Sequence, residues 1–260
     1  MMDKRVLVSF DDICPYQCKH CYTLDIPRTQ FNRSIPEIVK SIEQKDFDVI
    51  YVSQRRDNFV NPDDGILLCE QLFECYNSNI FIITRNIFDE NQVERLLSLK
   101  EKMEIAGKEI VVASSVFATK SYSKSENPMK VPSPYERMKF IKCLKTCGVK
   151  ALIIIRPVFP EYIIPVEELY ELVDICKKMN VCIVSSGLAL NDDICWRLNL
   201  NPCDIEYMEN VHYLEGAMEG KLKFLNVEDE MKKLKQYCEK VGVTFFDHTI
   251  QALNYIVSGQ

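Results

Sequence analysis

The chain has 260 residues, a formal net charge of −6 and 47% hydrophobic residues. This length fits one large domain, and the hydrophobic share is enough for a full core. The negative charge argues against broad, non-specific binding to a phosphate backbone, although it is compatible with a local basic pocket. No run of about 18 uncharged apolar residues occurs, and the N-terminus has no signal-peptide pattern. We therefore expect a cytoplasmic protein that does not associate with membranes.

Strand-like and helix-like runs alternate along the chain. Capping boxes that begin at Ser34 and Ser133 predict the starts of two helices. The mostly continuous apolar strands predict a parallel sheet covered by helices, which is an α/β fold. The predicted strands are 5–10, 48–53, 80–84, 109–116, 151–156 and 181–186, and the predicted helices are 34–44, 66–76, 89–103, 133–148 and 165–179.

The last quarter of the chain is less regular than the rest. Its clear elements are a predicted helix at 228–241 and a short apolar strand at 243–246, followed by a final helix. We expect residues 1–189 to form the core and residues 190–260 to be a C-terminal α/β extension that packs on the same domain.

Twelve cysteines raise the question of disulfide bonds. Nine of them are scattered, mostly within predicted helices and strands, which is typical of free thiols in a reducing compartment. Cys69, Cys143, Cys176 and Cys238 are predicted to be thiols of the hydrophobic core.

The other three cysteines, Cys14, Cys18 and Cys21, lie in a loop directly after the first predicted strand. Thiolates bind iron-sulfur clusters, and a [4Fe-4S] cube usually takes four of them. Three thiolates leave one iron open, and an open iron can chelate a small ligand. Zinc is the main alternative, but it normally takes four closely paired ligands, and no second Cys-x2-Cys pair occurs in the sequence.

The Cys-x3-Cys-x2-Cys spacing, followed by Tyr22, resembles the signature of the radical S-adenosylmethionine (SAM) enzymes, in which the open iron holds SAM. The segments 53–62, 82–85, 126–137 and 156–160 resemble strand ends and loops of the spore photoproduct lyase-like branch of that superfamily. This resemblance implies a partial (βα)6 TIM-type barrel of parallel strands. It also implies a [4Fe-4S] cluster and SAM as cofactors, with an external one-electron donor such as flavodoxin or ferredoxin.

The resemblance places the cofactor contacts at the ends of the strands. Arg85 would offer its guanidinium to the SAM carboxylate, the alternative being a surface ion pair. Only one of Ser114 and Ser115 can face the barrel, because side chains alternate along a strand. Apart from the three cysteines as metal ligands, the expected cofactor-binding residues are Tyr16, Tyr22, Ser53, Arg85, Ser114, Ser115, Arg156 and Gly187.

The implied activity is that of an enzyme in which one external electron leads to cleavage of SAM to methionine and a 5′-deoxyadenosyl radical, which abstracts hydrogen from a substrate. Spore photoproduct lyases carry a cysteine in the loop after the second strand. The corresponding loop, 53–57, contains none, so we do not expect efficient repair of thymine dimers.

Arg55 and Arg56 in the same loop predict an anionic substrate, with a nucleotide or a nucleic acid as the candidate. The alternative is that both arginines are solvated or pair with nearby aspartates of the loop and of the helix that follows it. Two other functions stay open at this point: a radical SAM enzyme that acts on a peptide or small metabolite, and a non-catalytic iron-sulfur or zinc protein that binds or senses.

Overall fold

The computed structural model describes residues 2–25, 33–43, 46–53, 56–201, 205–206 and 223–259. Nine strands lie in these ranges: β1 (Arg5–Val8), β2 (Val49–Val52), β3 (Asn79–Thr84), β4 (Ile110–Ser115), β5 (Lys150–Val158), β6 (Ile183–Gly187), β7 (Ala189–Leu190), β8 (Lys223–Phe224) and β9 (Phe245–Phe246).

Eight α-helices lie in the same described ranges: α1 (Ile35–Lys40), α2 (Pro62–Tyr76), α3 (Glu90–Ile105), α4 (Pro134–Thr146), α5 (Val166–Met179), α6 (Asp192–Leu198), α7 (Glu228–Val241) and α8 (Thr249–Ser258). The capping boxes at Ser34 and Ser133 are both formed, as the sequence predicted. No helix in this part of the chain is long and apolar enough to cross a membrane.

Seven strands form one sheet in the order β1-β2-β3-β4-β5-β6-β9, and every neighbouring pair in it is parallel. One helix connects each of the first five pairs of strands, which is the repeated βα pattern of a TIM-type barrel. Strands β1 and β9 are the two edges, so the barrel is partial. This confirms the predicted fold class. The strands β7 and β8 form a separate antiparallel pair.

The two faces of the main sheet build two separate cores. The helix-covered face carries residues such as Ile50 and Ile82, whereas the inner face carries Tyr51 and Phe81, because successive side chains point to opposite sides. Helix α8 lies against the inner face and buries Leu253 completely.

On each of three strands, the side chains of the inner face continue up to the carboxyl-terminal end of the strand. Ile83, Ala113 and Ile154 lie on the inner face, and two residues further along the same strands come Arg85, Ser115 and Arg156. The alternation of side chains therefore directs these three polar residues toward the interior.

Candidate functional site

The cysteine loop follows β1 at the carboxyl-terminal edge of the sheet. Two short turns shape it, with Gln17 N donating to Cys14 O at 3.3 Å and Cys21 N donating to Cys18 O at 2.9 Å. The backbone nitrogen of Lys19 donates to Ser125 O at 2.8 Å and so anchors the loop to the segment after β4. One small apolar cluster contains the three predicted ligands and three wall residues, namely Cys14, Cys18, Cys21, Tyr16, Val60 and Val131.

The donor set, three cysteine thiols in one cluster, is one that an iron-sulfur cluster accepts. Burial raises the pKa of Cys14, and it raises the pKa of Cys18 to about 12, although the neighbouring Arg85 opposes the shift at Cys18. Such thiols lose their protons when they coordinate a metal. Among the described residues, no three His, Cys, Asp or Glu side chains converge to hold a metal ion. A [4Fe-4S] cube does not require the three thiolates to converge on one ion, because each thiolate binds a different iron.

Arg85 connects the cysteine loop to the interior of the sheet. Its Nε donates to Glu126 Oε1 at 2.8 Å, and its Nη2 donates to His20 Nε2 at 3.3 Å and to Ser115 Oγ at 3.2 Å. Burial opposes its charge, but Cys18 and Glu126 keep the pKa of Arg85 above its ordinary value. Arg85 is therefore a permanent cation beside the thiols, with 22% of its side chain exposed.

Glu126 lies between two guanidinium groups. It accepts from Arg85 on one side, and Arg137 Nη2 donates to its Oε2 at 2.6 Å on the other. The side chains of Glu126 and Arg137 have no exposed surface. Arg137 also donates from Nη1 to Ser115 O at 2.6 Å. The Arg85–Glu126–Arg137 triad carries a net positive charge, which favours an anionic group close to the cysteines.

His20 is a neutral hydrogen-bonding residue of this network, a role that sequence reasoning missed. Burial, and then the charge of Arg85, lower the pKa of His20 well below its ordinary value. Arginine can only donate, so His20 Nε2 accepts from Arg85 and Nδ1 donates to Ser125 Oγ, 2.5 Å away. The ring packs edge-on against Phe117, with 5.5 Å between the ring centroids.

The structure separates the two serines that end β4. Ser115 faces the interior, where its Oγ accepts from Arg85 and donates to Arg156 O at 3.1 Å. Ser114 is completely buried on the other face, and its Oγ donates to Thr84 O at 2.9 Å. Only Ser115 is placed to reach a ligand in the interior.

Two other predicted contacts are engaged with the protein itself. Ser53 has a φ of 80°, and its Oγ accepts from Asn58 N at 2.9 Å, which shapes the loop after β2. Gly187 packs against the residue before α7, since a Cβ at this position would lie 2.9 Å from Val227 Cγ2. Both positions stay predictions as cofactor contacts.

The predicted substrate arginines lie in the loop after β2. Arg55 falls outside the described residues. Arg56 forms an ion pair with Asp12, and its guanidinium carbon lies 5.4 Å from the ring centroid of Phe10. Because Asp12 already balances this charge, Arg56 is less suited to an anionic substrate than the sequence alone indicated. Asp12 is also a different partner from the nearby aspartates considered from the sequence.

The expectation of buried core thiols is confirmed for Cys69, Cys176 and Cys238. It is wrong for Cys143, which is exposed. The physical reason is helical phase: α4 buries a stripe that includes Ile141 and Leu144, and Cys143 lies outside it.

Helix α6 holds the cysteine loop from the C-terminal side. Arg197 Nε donates to Lys19 O at 2.9 Å, and Nη2 donates to Cys21 O at 3.0 Å. The same guanidinium is bidentate on Asp25, with Nη1 to Oδ1 at 2.5 Å and Nη2 to Oδ2 at 3.0 Å. This clamp connects residues more than 170 positions apart, so no local sequence pattern could have indicated it.

Tyr22 influences the charge of Arg156 at the end of β5. Burial lowers the pKa of Arg156, and Tyr22 opposes this effect. The other predicted wall residue, Tyr16, is buried among the cysteines, and burial raises its pKa strongly. One neighbourhood thus contains the cysteines, Tyr16, Arg85 and Ser115, and the hydrogen bond from Ser115 Oγ to Arg156 O connects it to the end of β5.

Comparison with known proteins gives distant matches of structure only. No protein-family model and no curated protein matches the sequence. A methylornithine synthase structure matches with a TM-score of 0.44 and 15% identity, covering 98% of this chain and 86% of the other. A deoxyribose phosphate aldolase from Aeropyrum pernix matches with a TM-score of 0.32 and 15% identity, covering 75% of this chain and 68% of the other.

Proposed function

We propose that this protein is a radical SAM enzyme that holds a [4Fe-4S] cluster on Cys14, Cys18 and Cys21. The observation that carries the proposal is the grouping of all three cysteines of the Cys-x3-Cys-x2-Cys motif, with Cys14 and Cys18 buried and Cys21 partly buried, in one cluster at the carboxyl-terminal edge of a parallel α/β sheet. This edge is where TIM-type barrels carry their chemistry.

When bound, the cluster would supply the single electron that cleaves SAM. The surrounding residues have distinct tasks in this proposal. Tyr16, Val60 and Val131 exclude water from the cysteines. Arg85 places a fixed positive charge where a SAM carboxylate could bind, and the buried Glu126 holds its guanidinium in place.

The resemblance leads us to infer an external one-electron donor, such as flavodoxin or ferredoxin. A cytoplasmic location is inferred from the scattered cysteines, which are typical of free thiols in a reducing compartment. The substrate is inferred to be anionic, and Arg56 is not proposed to bind it because Arg56 is already paired with Asp12.

Anaerobic reconstitution with iron and sulfide tests the cluster. We expect about four iron and four sulfide per chain, as a [4Fe-4S] cube requires, together with SAM cleavage after chemical reduction. Cys18→Ala should lose most of the iron because no neighbouring thiol is spaced to replace the ligand. Cys69→Ala is the matched control, as it removes a buried thiol at a cost of about 1 kcal/mol in unfolding free energy.

Two outcomes would contradict the proposal. Wild-type iron content in the Cys18→Ala variant would remove this cysteine from the site. Stoichiometric zinc in the purified protein, with no iron cluster after reconstitution, would favour the non-catalytic metal-binding alternative.

A further inference from the structure

Two arginines, Arg5 of β1 and Arg156 of β5, lie on the inner face of the sheet: Arg5 pairs with the inner-face residue Val49, and Arg156 follows the inner-face residue Ile154 by two positions. The charges of both arginines influence Tyr51, and the charge of Arg5 also influences Arg156. The guanidinium carbon of Arg5 lies 5.3 Å from the centroid of the Tyr51 ring. Strand β2, which carries Tyr51, pairs directly with β1.

Among the described residues, no carboxylate forms an ion pair with Arg5 or Arg156. The Nε of Arg156 is buried and has no hydrogen-bond partner, and the same holds for the Nε atoms of Arg56 and Arg137. Those two arginines differ from Arg156 in having a carboxylate as counter-charge, Asp12 for Arg56 and Glu126 for Arg137. Guanidinium groups brought together without a carboxylate repel each other, and an oxyanion would relieve that repulsion.

Tyr51 supplies a third unsatisfied donor in the same place. Its side chain is 1% exposed, and its hydroxyl has no partner in hydrogen-bonding geometry among the described residues, although Arg5 approaches it. A buried hydroxyl without a partner costs free energy, commonly about 1–3 kcal/mol. An oxyanion held by two guanidinium groups could also accept from this hydroxyl.

We propose that Arg5, Arg156 and Tyr51 form a binding site for the carboxylate or phosphate of a small substrate inside the partial barrel. The assignment of this anion to a substrate rests on the proposed function, since the interior is where a radical enzyme of this fold would hold the molecule it attacks. The site redirects the anionic-substrate prediction from the loop after β2 to the inner face of the sheet.

The surroundings favour a small molecule over a nucleic acid. Tyr51 belongs to the inner-face core that α8 covers, which leaves little room for a large ligand beneath the arginines. In this proposal the ligand enters along β1, because β1 is an edge strand of the sheet and Leu7 on the same face is 43% exposed. Arg5 itself is exposed and lies at this entrance.

Oxyanion binding to the full-length protein, without cluster or SAM, tests the site directly. Inorganic phosphate and acetate are titrated separately at low ionic strength and followed through the arginine Nε–Hε signals in nitrogen-proton correlation spectra. We expect one of the two anions to shift the Arg156 signal and to bind at least tenfold more weakly to Arg156→Gln and Arg5→Gln. Arg5 is exposed, so its variant does not put folding at risk.

Arg95→Gln is the matched control, because this arginine is paired with Glu70 on the helical surface and should leave the affinity unchanged. Stronger binding of phosphate would identify a phosphorylated substrate, and stronger binding of acetate would identify a carboxylic acid. Equal affinity in the wild type and Arg5→Gln, or no binding of either anion, would overturn the proposal. The same preparations are then reconstituted and assayed for SAM cleavage, so that loss of the proposed function is separated from loss of the anion site.

A titration with SAM separates substrate from cofactor recognition. If neither phosphate nor acetate binds the wild type, and SAM binds more weakly to Arg156→Gln, then Arg156 is a cofactor contact and the substrate site is refuted. If SAM binds equally to the wild type and Arg156→Gln while one oxyanion loses affinity, the site belongs to the substrate.

Discussion

Glu126 and Arg137 are buried side chains of opposite charge, and the contribution of each to stability depends on the other. Their side chains are fully enclosed, and Arg85 adds a second cation to the same carboxylate from a partly exposed position. A buried charge that loses its only partner costs far more than a partly exposed one, because water cannot solvate it. Both residues lie in the segment 126–137, which resembles the spore photoproduct lyase-like branch. Nothing in the sequence indicated that the two residues pair.

We predict that Arg137→Met destabilises the protein more than Arg85→Met does. The first change removes the enclosed partner of Glu126 and the bond to Ser115 O, and should lower the unfolding free energy by about 3–5 kcal/mol. The second leaves Glu126 paired with Arg137 and should cost about 1–2 kcal/mol. Urea unfolding of the metal-free variants measures both values. Equal costs would contradict this and show that Arg85, despite its exposure, stabilises Glu126 as much as Arg137 does.

At the scale of elements, the cysteine loop depends on parts of the chain that follow it by more than 100 residues. Ser125 accepts from Lys19 N, and Arg197 of α6 donates to Lys19 O and Cys21 O. Helix α6 begins with Asn191 as its cap, whose side chain accepts from Ile194 N at 2.8 Å and also donates to Asp25 at 3.0 Å. The C-terminal region therefore helps to hold the candidate ligands in position.

We expect Arg197→Ala to loosen the cysteine loop. Loss of the bidentate contact to Asp25 and of two carbonyl contacts should lower the iron retained after reconstitution and reduce the unfolding free energy by about 1–3 kcal/mol. Iron content and urea unfolding are measured on the same preparation. Arg95→Ala, which removes a bidentate surface pair with Glu70, controls for the loss of an ion pair as such. An unchanged iron content in Arg197→Ala would show that the clamp has no part in holding the ligands.

A second element-level contact is sensitive to acid. Glu168 of α5 accepts from the backbone nitrogens of Thr119, Lys120 and Ser121 at 2.7–3.0 Å, and Ser121 Oγ donates to it at 2.6 Å. Burial alone would raise the pKa of Glu168, but these hydrogen bonds hold it below its ordinary value. The carboxylate thus fixes the segment between β4 and the 3₁₀ helix Ser121–Lys124.

The sign of the pH effect follows from this lowered pKa. The stabilisation by Glu168 is complete above the pKa of the unfolded chain, about 4.3, and is lost as the pH falls through the folded pKa. Glu168→Gln should therefore cost about 1.5–3 kcal/mol near neutral pH and progressively less below about pH 4. Urea unfolding at several pH values measures the difference. A gap between wild type and variant that widens in acid would contradict the assignment.

For the whole molecule, α8 completes the interior of the partial barrel. It buries Ala252 and Leu253 against the inner face of the sheet. Asn254 on the same helix accepts from Met2 N at 2.6 Å and donates to Met2 O at 2.8 Å. The two ends of the described chain are thereby joined, and the end of the barrel opposite the cysteine loop is covered.

Leu253→Ala should destabilise the protein by about 2–5 kcal/mol, because the truncation leaves a cavity in a core that neighbouring strands cannot fill. The control is Ile105→Ala at the end of α3, where the side chain is 89% exposed and little cost is expected. Urea midpoints compare the two variants. A similar shift for both would show that α8 does not pack inside the sheet.

Local patterns in the sequence were enough to predict the order and type of the main helices and strands and the grouping of the cysteines. These features depend on local signals, namely apolar runs, capping boxes at Ser34 and Ser133, and the spacing of three thiols within eight residues. The resemblance at the ends of the predicted strands also implied that Arg85 and Arg156 contact the cofactor.

The contacts of these residues depend on the folded sheet. Ser115 faces inward and Ser114 outward, Arg85 pairs with Glu126, and Arg56 pairs with Asp12. In the part of the chain that the structure describes, no carboxylate pairs with Arg156. Both ion pairs join segments more than 40 positions apart, so no local pattern encodes them. Whether a cation faces a counter-charge or an open interior depends on which strands become neighbours, and that is a property of the folded sheet.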